Sequence, residues 1–174
     1  MILRTLGRRM LQLGRGLSII FIDYSAAFDS VSHKFIDDAL KDAGASNKAR
    51  VMFRAVYNSA TAYTTVQGPD NTTVKSVEFN IRRGVVQGDI TSPLYFILAL
   101  EAILRIHDKR TDKGVTLGQT IIHTLGYADD AALIDAGDQD GIQRATERVT
   151  AIAQGSRKDA DMEINISKTK AMHL

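Results

Sequence analysis

After an amphipathic opening without acids, the chain turns apolar. Leu17 to Ile22 reads Leu-Ser-Ile-Ile-Phe-Ile, preceded by Gly14 and Gly16 and ended by Asp23, the pattern of a short buried strand. Phe35, Ile36, Ala39, Leu40 and Ala43 then recur at helical spacing, with Ser30 and Ser32 placed to cap that helix and Gly44 to end it. Asn47 to Tyr57 predicts a second helix with Val51, Ala55 and Val56 facing inward. Ala62–Gln67 and Thr73–Phe79 are rich in Thr and Val around Pro69-Asp70-Asn71, which predicts a hairpin. Ser92 as N-cap and Pro93 at the first helical position open a helix that is mostly apolar from Tyr95 to Ile106, so burial over much of its surface is expected. Arg105, Lys109 and Arg110 near its end favour the helix dipole.

Thr120–Leu125 and Ala131–Asp135 predict two strands joined through Gly126-Tyr127-Ala128-Asp129-Asp130. Asp138 is placed to cap a last long helix, with Ile142, Ala145, Val149 and Ile152 on one face. Met162–Ile166 and Lys170–Leu174 are extended candidates. Strands that come in hairpins, with helices between them, predict an α+β domain: an antiparallel sheet with helices packed on one face.

The length of 174 residues suits one domain at roughly 150 residues per domain, and 44% hydrophobic residues suffice for a core. The absence of cysteine excludes a disulfide scaffold, cysteine zinc sites, iron–sulfur clusters and a cysteine nucleophile. His33, His107, His123 and His173 form no pair at the i, i+4 spacing of a helical zinc site. The longest apolar run, Pro93 to Leu104, is interrupted by Glu101 and falls short of the ~20 residues a membrane span needs. With 22 Lys+Arg against 20 Asp+Glu, the net charge of +2 does not by itself demand a polyanion. The charge is uneven, however: Arg4, Arg8, Arg9 and Arg15 all precede the first acid, Asp23. Three readings suit that start: a mitochondrial presequence, a helix that touches phosphate, and an internal segment of a longer parent.

The candidate chemistry is acidic. Asp23 closes a buried strand, and Asp129 and Asp130 sit at the tip of a predicted hairpin far along the chain. If adjacent strands bring them together, the carboxylates repel unless a cation intervenes, and oxygen-only ligands favour Mg²⁺ or Mn²⁺. Two such ions roughly 3.5–4 Å apart suit an in-line phosphoryl displacement. The plainer reading is that aspartates are common at turns and strand ends.

The sequences around these aspartates change the weighting. Phe21-Ile22-Asp23-Tyr24-Ser25-Ala26-Ala27-Phe28-Asp29-Ser30-Val31 resembles motif A of reverse transcriptases in the form seen in non-LTR retrotransposons. Arg83-Gly84-Val85-Val86-Gln87-Gly88-Asp89, followed by Ser92-Pro93-Leu94, resembles motif B. Leu125-Gly126-Tyr127-Ala128-Asp129-Asp130 resembles motif C, the YADD motif, and Ile164-Asn165-Ile166-Ser167-Lys168-Thr169-Lys170 resembles motif D. The four occur in the family's order. The resemblance implies a polymerase palm with a ferredoxin-like core and an RNA-directed DNA polymerase activity, a nucleotidyl transfer with two Mg²⁺ ions. Asp23, Asp129 and Asp130 would be the metal ligands, joined by the Tyr24 carbonyl. The backbone N–H groups of Ala26 and Ala27 would meet the triphosphate. Many relatives carry lysine where this chain has Ala26, which removes a charge but not the backbone donors.

The resemblance further implies that Phe28 lies beneath the sugar and favours dNTP over rNTP, although a core phenylalanine fits its position as well. Gln87 and Gly88 would face the nascent base pair and template. Lys168 would assist the pyrophosphate leaving group, or is simply a solvated lysine. Arg82, Arg83 and Tyr127 would contact nucleic acid. The implied partners are an RNA template, a DNA primer, dNTP and the rest of a parental polyprotein, with no membrane. A nuclear or cytoplasmic location is implied, with the mitochondrial presequence as the alternative.

Only 22 residues precede Asp23 and the chain ends four residues after Lys170. The expectation is therefore one palm domain over residues 1–174, with most of the fingers and all of the thumb and endonuclease outside it. Competing expectations are a remnant or co-opted fragment that binds metal or nucleic acid without polymerising, a nucleotidyl cyclase, and a purely structural protein.

Overall fold

The computed structural model of the chain describes residues 2–108, 114–137 and 140–174. Lys109, Arg110 and Asp138, given helix-end roles above, lie outside the described residues. The elements run α1 (Ile2–Gln12), β1 (Gly16–Ile22), α2 (Ala27–Ser30), α3 (His33–Asp42), α4 (Asn47–Asn58), β2 (Thr61–Ala62), β3 (Thr65–Gln67), β4 (Thr73–Lys75), β5 (Phe79–Asn80) and α5 (Ser92–His107). They continue with β6 (Val115–Leu117), β7 (Thr120–Ile122), β8 (Thr124–Tyr127), β9 (Asp130–Gly137), α6 (Gly141–Ala160) and β10 (Lys170–His173).

The central sheet has the order β10-β1-β9-β8, and each neighbouring pair is antiparallel. β1 and β8 are thus split by β9, and β9 and β10 by β1, with helices in both connections: the ferredoxin-like arrangement. Alternation along the strands sorts the side chains. Ile22, Ala131 and Leu133 join the large core beneath α3, α5 and α6. Leu17, Ile19, Ala132 and Ile134 point the other way, into a smaller core closed by Leu6 and Met10 of α1 and Val115 of β6. The helices α3, α5 and α6 therefore lie on one face, as expected, with Phe53 and Tyr57 of α4 in the same core, and α1 packs on the opposite face. No described helix is long and apolar enough to cross a membrane.

Local signals account for most elements. Ser32 caps α3 by accepting from the Phe35 N–H, and Gly44 ends it at φ +82°. The inward face of α4 differs from expectation. Val51, Ala55 and Val56 are exposed, and Phe53 and Tyr57 are buried instead. The reason is aromatic packing: Phe53 and Tyr57 lie 4.7 Å apart by ring centroids, His33 is 5.0 Å from Tyr57, and Tyr95 is 5.0 Å from Phe53. Two large rings bury more apolar area than two valines, and that sets the helix rotation.

At α5 the N-cap is Thr91 rather than Ser92. Ser92 turns inward, where its Oγ donates to the Val86 carbonyl at 2.7 Å and meets the Tyr57 hydroxyl at 3.2 Å. The Thr/Val hairpin exists, but as two short ladders, β2–β5 and β3–β4. Thr120–Leu125 is not one strand. It breaks at His123, so β7 pairs with β6 around Gly118 (φ +62°), while β8 pairs with β9. Met162–Ile166 is held by a single bridge, Ile164 to Tyr24, and Lys170–His173 forms the edge strand.

Arg148 of α6 is buried. Its guanidinium grips both Asp108 carboxylate oxygens at 2.7 and 2.8 Å and donates to the carbonyls of Ile134 and His123, each at 2.9 Å. One side chain thereby ties the end of α5, the β7–β8 break and β9 to α6. Truncating one partner of such a pair leaves a buried charge without compensation. Arg148→Ala is expected to lower stability by about 3–5 kcal/mol, read as a fall in the urea midpoint.

Candidate active site

Asp23 stands one residue beyond β1. The main chain of the following residues is strapped to the segment before β10. The Ser25 N–H donates to the Glu163 carbonyl at 2.8 Å, and the Asn165 N–H donates to the Asp23 carbonyl at 2.7 Å. These two bonds flank the Tyr24–Ile164 bridge. In that antiparallel pattern the N–H and C=O of Tyr24 point away from the strap, toward the β8–β9 side. The Asp23 N–H is met by Thr169 Oγ1 at 3.4 Å. Inside the strap, Asn165 holds a tight turn: its side chain accepts from Ser167 Oγ at 2.7 Å, and its carbonyl accepts from the Thr169 N–H at 2.9 Å. That turn projects Lys168, whose Nζ lies 3.8 Å from Asp23 Oδ2. Lys168 is otherwise exposed. Asp23 Oδ2 is buried and accepts no hydrogen bond.

Asp129 and Asp130 occupy the tip of the β8–β9 hairpin. The ladder runs to Tyr127–Asp130, so the turn is two residues, Ala128 and Asp129, tighter than the sequence predicts. Ala128 takes φ +53°, the left-handed geometry of a short hairpin turn. β1 pairs with β9 through Ile22–Ala131. One further step of that register sets Asp23 opposite Asp130. Both aspartates and Tyr127 are thus at one end of adjacent strands, and Asp129, Asp130 and Tyr127 are exposed there. Among the described residues no group of three metal-ligating side chains converges.

The residues of motifs A and B are clamped together. Ala26 (φ +47°) opens the short α2, and Ala27 is buried. The Gly84 N–H donates to the Val31 carbonyl and the Val85 N–H to the Phe28 carbonyl, each at 2.7 Å. Ser32 and Arg83 form a bridge, and His33 Nε2 is 2.9 Å from the Gly84 carbonyl. Gly84 has φ +81°, and a Cβ there would come within 2.6 Å of the Asp29 backbone, so no other residue fits. Gln87 donates from Nε2 to Asp29 Oδ1 at 3.2 Å. Phe28 is half-buried and stacks on Phe96 at 4.4 Å, so it belongs to the core as well as to this clamp. Gly88 (φ +93°) is open: a Cβ at this position would meet no heavy atom within 4 Å. Arg82 and Arg83 are exposed. Asp29, Gly84 and Thr169 stand within the motifs but were given no role there, and His33 stands outside them; all four contribute contacts. Only Gly84 carries a local signal, a glycine in a loop that must approach another backbone.

Tyr24 contributes its main chain to the site and its ring to the core. Its hydroxyl is 3.2 Å from Ser156 Oγ of α6, and burial pushes the phenol up to about 12.

The donor set is oxygen throughout, the chemistry of Mg²⁺ or Mn²⁺, and a buried carboxylate oxygen without a hydrogen-bond partner is a position a cation would satisfy. The residues therefore fit divalent cations.

The family model for reverse transcriptase (RNA-dependent DNA polymerase) matches residues 5–173. The chain belongs to the reverse transcriptase family. It is 36% identical over 138 residues to the Pol polyprotein of the type-1 retrotransposable element R2 of Nasonia vitripennis, which covers 79% of this chain and 13% of that protein. It is 36% identical over 119 residues to the Pol polyprotein of the type-2 element R2DM of Drosophila melanogaster, covering 68% of this chain and 11% of that one. These relatives agree with the non-LTR retrotransposon type read from the motifs, and the chain spans only about an eighth of their length. In fold, the chain is similar to apo telomerase from Candida tropicalis, with a TM-score of 0.69 at 12% identity, over 97% of this chain and 31% of that one. Telomerase from Candida albicans, solved with a TWJ fragment of telomeric RNA, gives 0.58 at 14% identity, over 98% and 29%. Both likenesses support the palm architecture of this chain.

Because Tyr24 enters the site through its backbone, Tyr24→Phe is expected to leave the strap intact. The loss is one buried hydrogen bond, about 0.5–1.5 kcal/mol, checked by the urea midpoint at neutral pH.

Proposed function

We propose that this chain is the catalytic palm of an RNA-directed DNA polymerase, joining a dNMP from dNTP to the 3′-hydroxyl of a DNA primer on an RNA template and releasing pyrophosphate. The observation that carries the reading is the β1–β9 register, which brings Asp23 and the Asp129–Asp130 turn to one end of adjacent strands. Asp23, Asp129 and Asp130, with the Tyr24 carbonyl, would hold two Mg²⁺ ions, or Mn²⁺. When bound, such a pair activates the attacking hydroxyl and offsets charge on the leaving oxygens.

The chain's own residues do the rest. The main-chain N–H groups of Ala26 and Ala27 receive the triphosphate without needing a side chain. Phe28, held by its stack on Phe96, sets the floor beneath the sugar, where a 2′-hydroxyl collides with the ring. Gln87, oriented by Asp29, and the open Gly88 face the base pair. Lys168, already beside Asp23, supplies positive charge or a proton to the pyrophosphate. Arg82, Arg83 and Tyr127, all exposed, lie along the template and primer. The remainder of a parental polyprotein, with fingers, thumb and endonuclease, would complete the grip on the duplex. The residues of the site do not require a nucleotidyl cyclase reading, since Gln87-Gly88 would then have no template to read.

Two outcomes test this. In primer extension with an RNA template, a DNA primer, dNTPs and Mg²⁺, Asp129→Ala is expected to abolish synthesis while circular dichroism stays unchanged. Equal extension by the variant overturns the role of Asp129, and a folded wild-type chain that does not extend favours the non-polymerising fragment. Phe28→Val is expected to raise rNTP use relative to dNTP about tenfold or more, measured by competing incorporation; a ratio that does not move returns Phe28 to the core alone.

A further inference from the structure

The helix α1 carries a feature that the site above does not use. Leu6 and Met10 are buried against the sheet face formed by Leu17, Ile19, Ala132 and Ile134. By alternation along the strands, this is the face to which Asp130 belongs. At the start of α1, Ile2 and Leu3 line a cavity of about 610 Å³ together with Phe21, Leu125, Tyr127 and Asp130. α1 thus begins beside the carboxylate end of the sheet. The side of α1 turned from the sheet exposes Arg4, Arg8 and Arg9, and Arg15 follows beyond its end, also exposed. Arg4 and Arg8 are one turn apart, about 6 Å along the axis.

None of these arginines has an ion-pair partner among the described residues. Six other described arginines pair with carboxylates: Arg50 and Arg54 with Asp37, Arg105 with Asp42, Arg144 with Asp135, Arg148 with Asp108, Arg157 with Glu163, while Arg82 and Arg83, proposed above to meet nucleic acid, are exposed without such a partner. Four like charges without a counter-charge repel one another, and a polyanion relieves that cost.

We propose that the outward face of α1 is a phosphate-binding surface that holds the backbone of a nucleic-acid strand reaching the carboxylate end of the sheet, beside which α1 begins. The identity of that strand as template or primer rests on the polymerase reading; the phosphate chemistry does not. A basic amphipathic helix also suits a membrane surface, but such a helix needs a free apolar face to insert. The centre of the apolar face of α1 is already closed by the sheet, with Leu6 at 0% and Met10 at 3% exposure, and only Ile2 and Leu11 at its edges remain exposed. A strand backbone needs only the arginine side.

The test is binding of the full chain to a fluorescent RNA–DNA hybrid, read by anisotropy across a salt series without dNTP or divalent cation. The triple variant Arg4→Gln, Arg8→Gln, Arg9→Gln is compared with Lys41→Gln, Lys48→Gln, Lys158→Gln, which removes equal charge from the helix side. Glutamine preserves helix propensity, and circular dichroism with the urea midpoint checks the fold. The α1 variant is expected to weaken binding at least tenfold near 0.1 M salt and to shallow the salt slope by about two, at roughly 0.7–0.9 per lost phosphate contact. The lysine variant is expected to keep the wild-type slope, and Arg→Lys at the three α1 positions to restore most of the affinity. Equal loss in both glutamine variants, no hybrid binding by the wild-type chain, or tighter binding to anionic phosphatidylserine vesicles than to the hybrid overturns the proposal. A chain that binds through α1 and fails primer extension refutes the polymerase reading alone. One that extends primers and binds independently of α1 refutes this proposal alone.

Discussion

The pairing of β1 with β9 is the constraint on which the other features depend. It runs from Gly16–Gly137 to Ile22–Ala131. Strand side chains alternate with period two, so a slip of one residue would carry Leu17 and Ile19 to the helix face and turn Ile20 and Ile22 away from it. It would also separate Asp23 from Asp130. The register is pinned at the far end by its two glycines: a Cβ on Gly16 would come within 2.8 Å of the Gly137 carbonyl oxygen, and one on Gly137 within 2.9 Å of the Gly16 carbonyl carbon. Close backbone approach at one end thus fixes carboxylate position at the other.

From that axis two attachments build the site. The strap at 163–169 binds the main chain of Asp23 and Ser25, and so fixes the direction of β1 after it leaves the sheet. The clamp between α2 and the loop before α5 fixes Phe28 and Gln87 relative to Asp23. Both attachments use backbone hydrogen bonds more than side-chain contacts. Sequence can therefore vary around them, as Ala26 does, without moving the groups that the chemistry needs.

Much of this was legible in the chain. The apolar run of β1, the Ser32 cap, the apolar α5 and the turn at Ala128-Asp129 each have a local cause, and the four motifs gave their order. The rest depends on non-local terms. The rotation of α4 was set by rings from α3 and α5, which periodicity within Asn47–Asn58 does not contain. The break at His123 follows from a guanidinium on α6 and from the Ile134 N–H, which donates to its carbonyl at 2.7 Å. The partnership of Arg148 with Asp108 joins residues that no helix or strand period relates. In the candidate site, the positions of the aspartates were legible, but Asp29 as the hydrogen-bond partner of Gln87 was not, because that contact spans two motifs.

The treatment of buried charge separates structural from chemical acids. Asp108 gives both oxygens to Arg148, and Asp135, fully buried, is held by Arg144 at 2.6 Å. Burial strips water from a carboxylate at a cost that only such bonds offset. Among the described residues, Asp23 holds the one buried carboxylate oxygen left without a hydrogen bond, and its nearest cation, Lys168, stands off at 3.8 Å. The two buried structural acids are each reached by an arginine directly. Asp23 is strapped by its own backbone, so the fold can keep that oxygen in place without a side-chain partner. On the proposed polymerase reading, a carboxylate fixed by its main chain and left unsaturated can accept a divalent cation without first breaking a bond that holds the fold together.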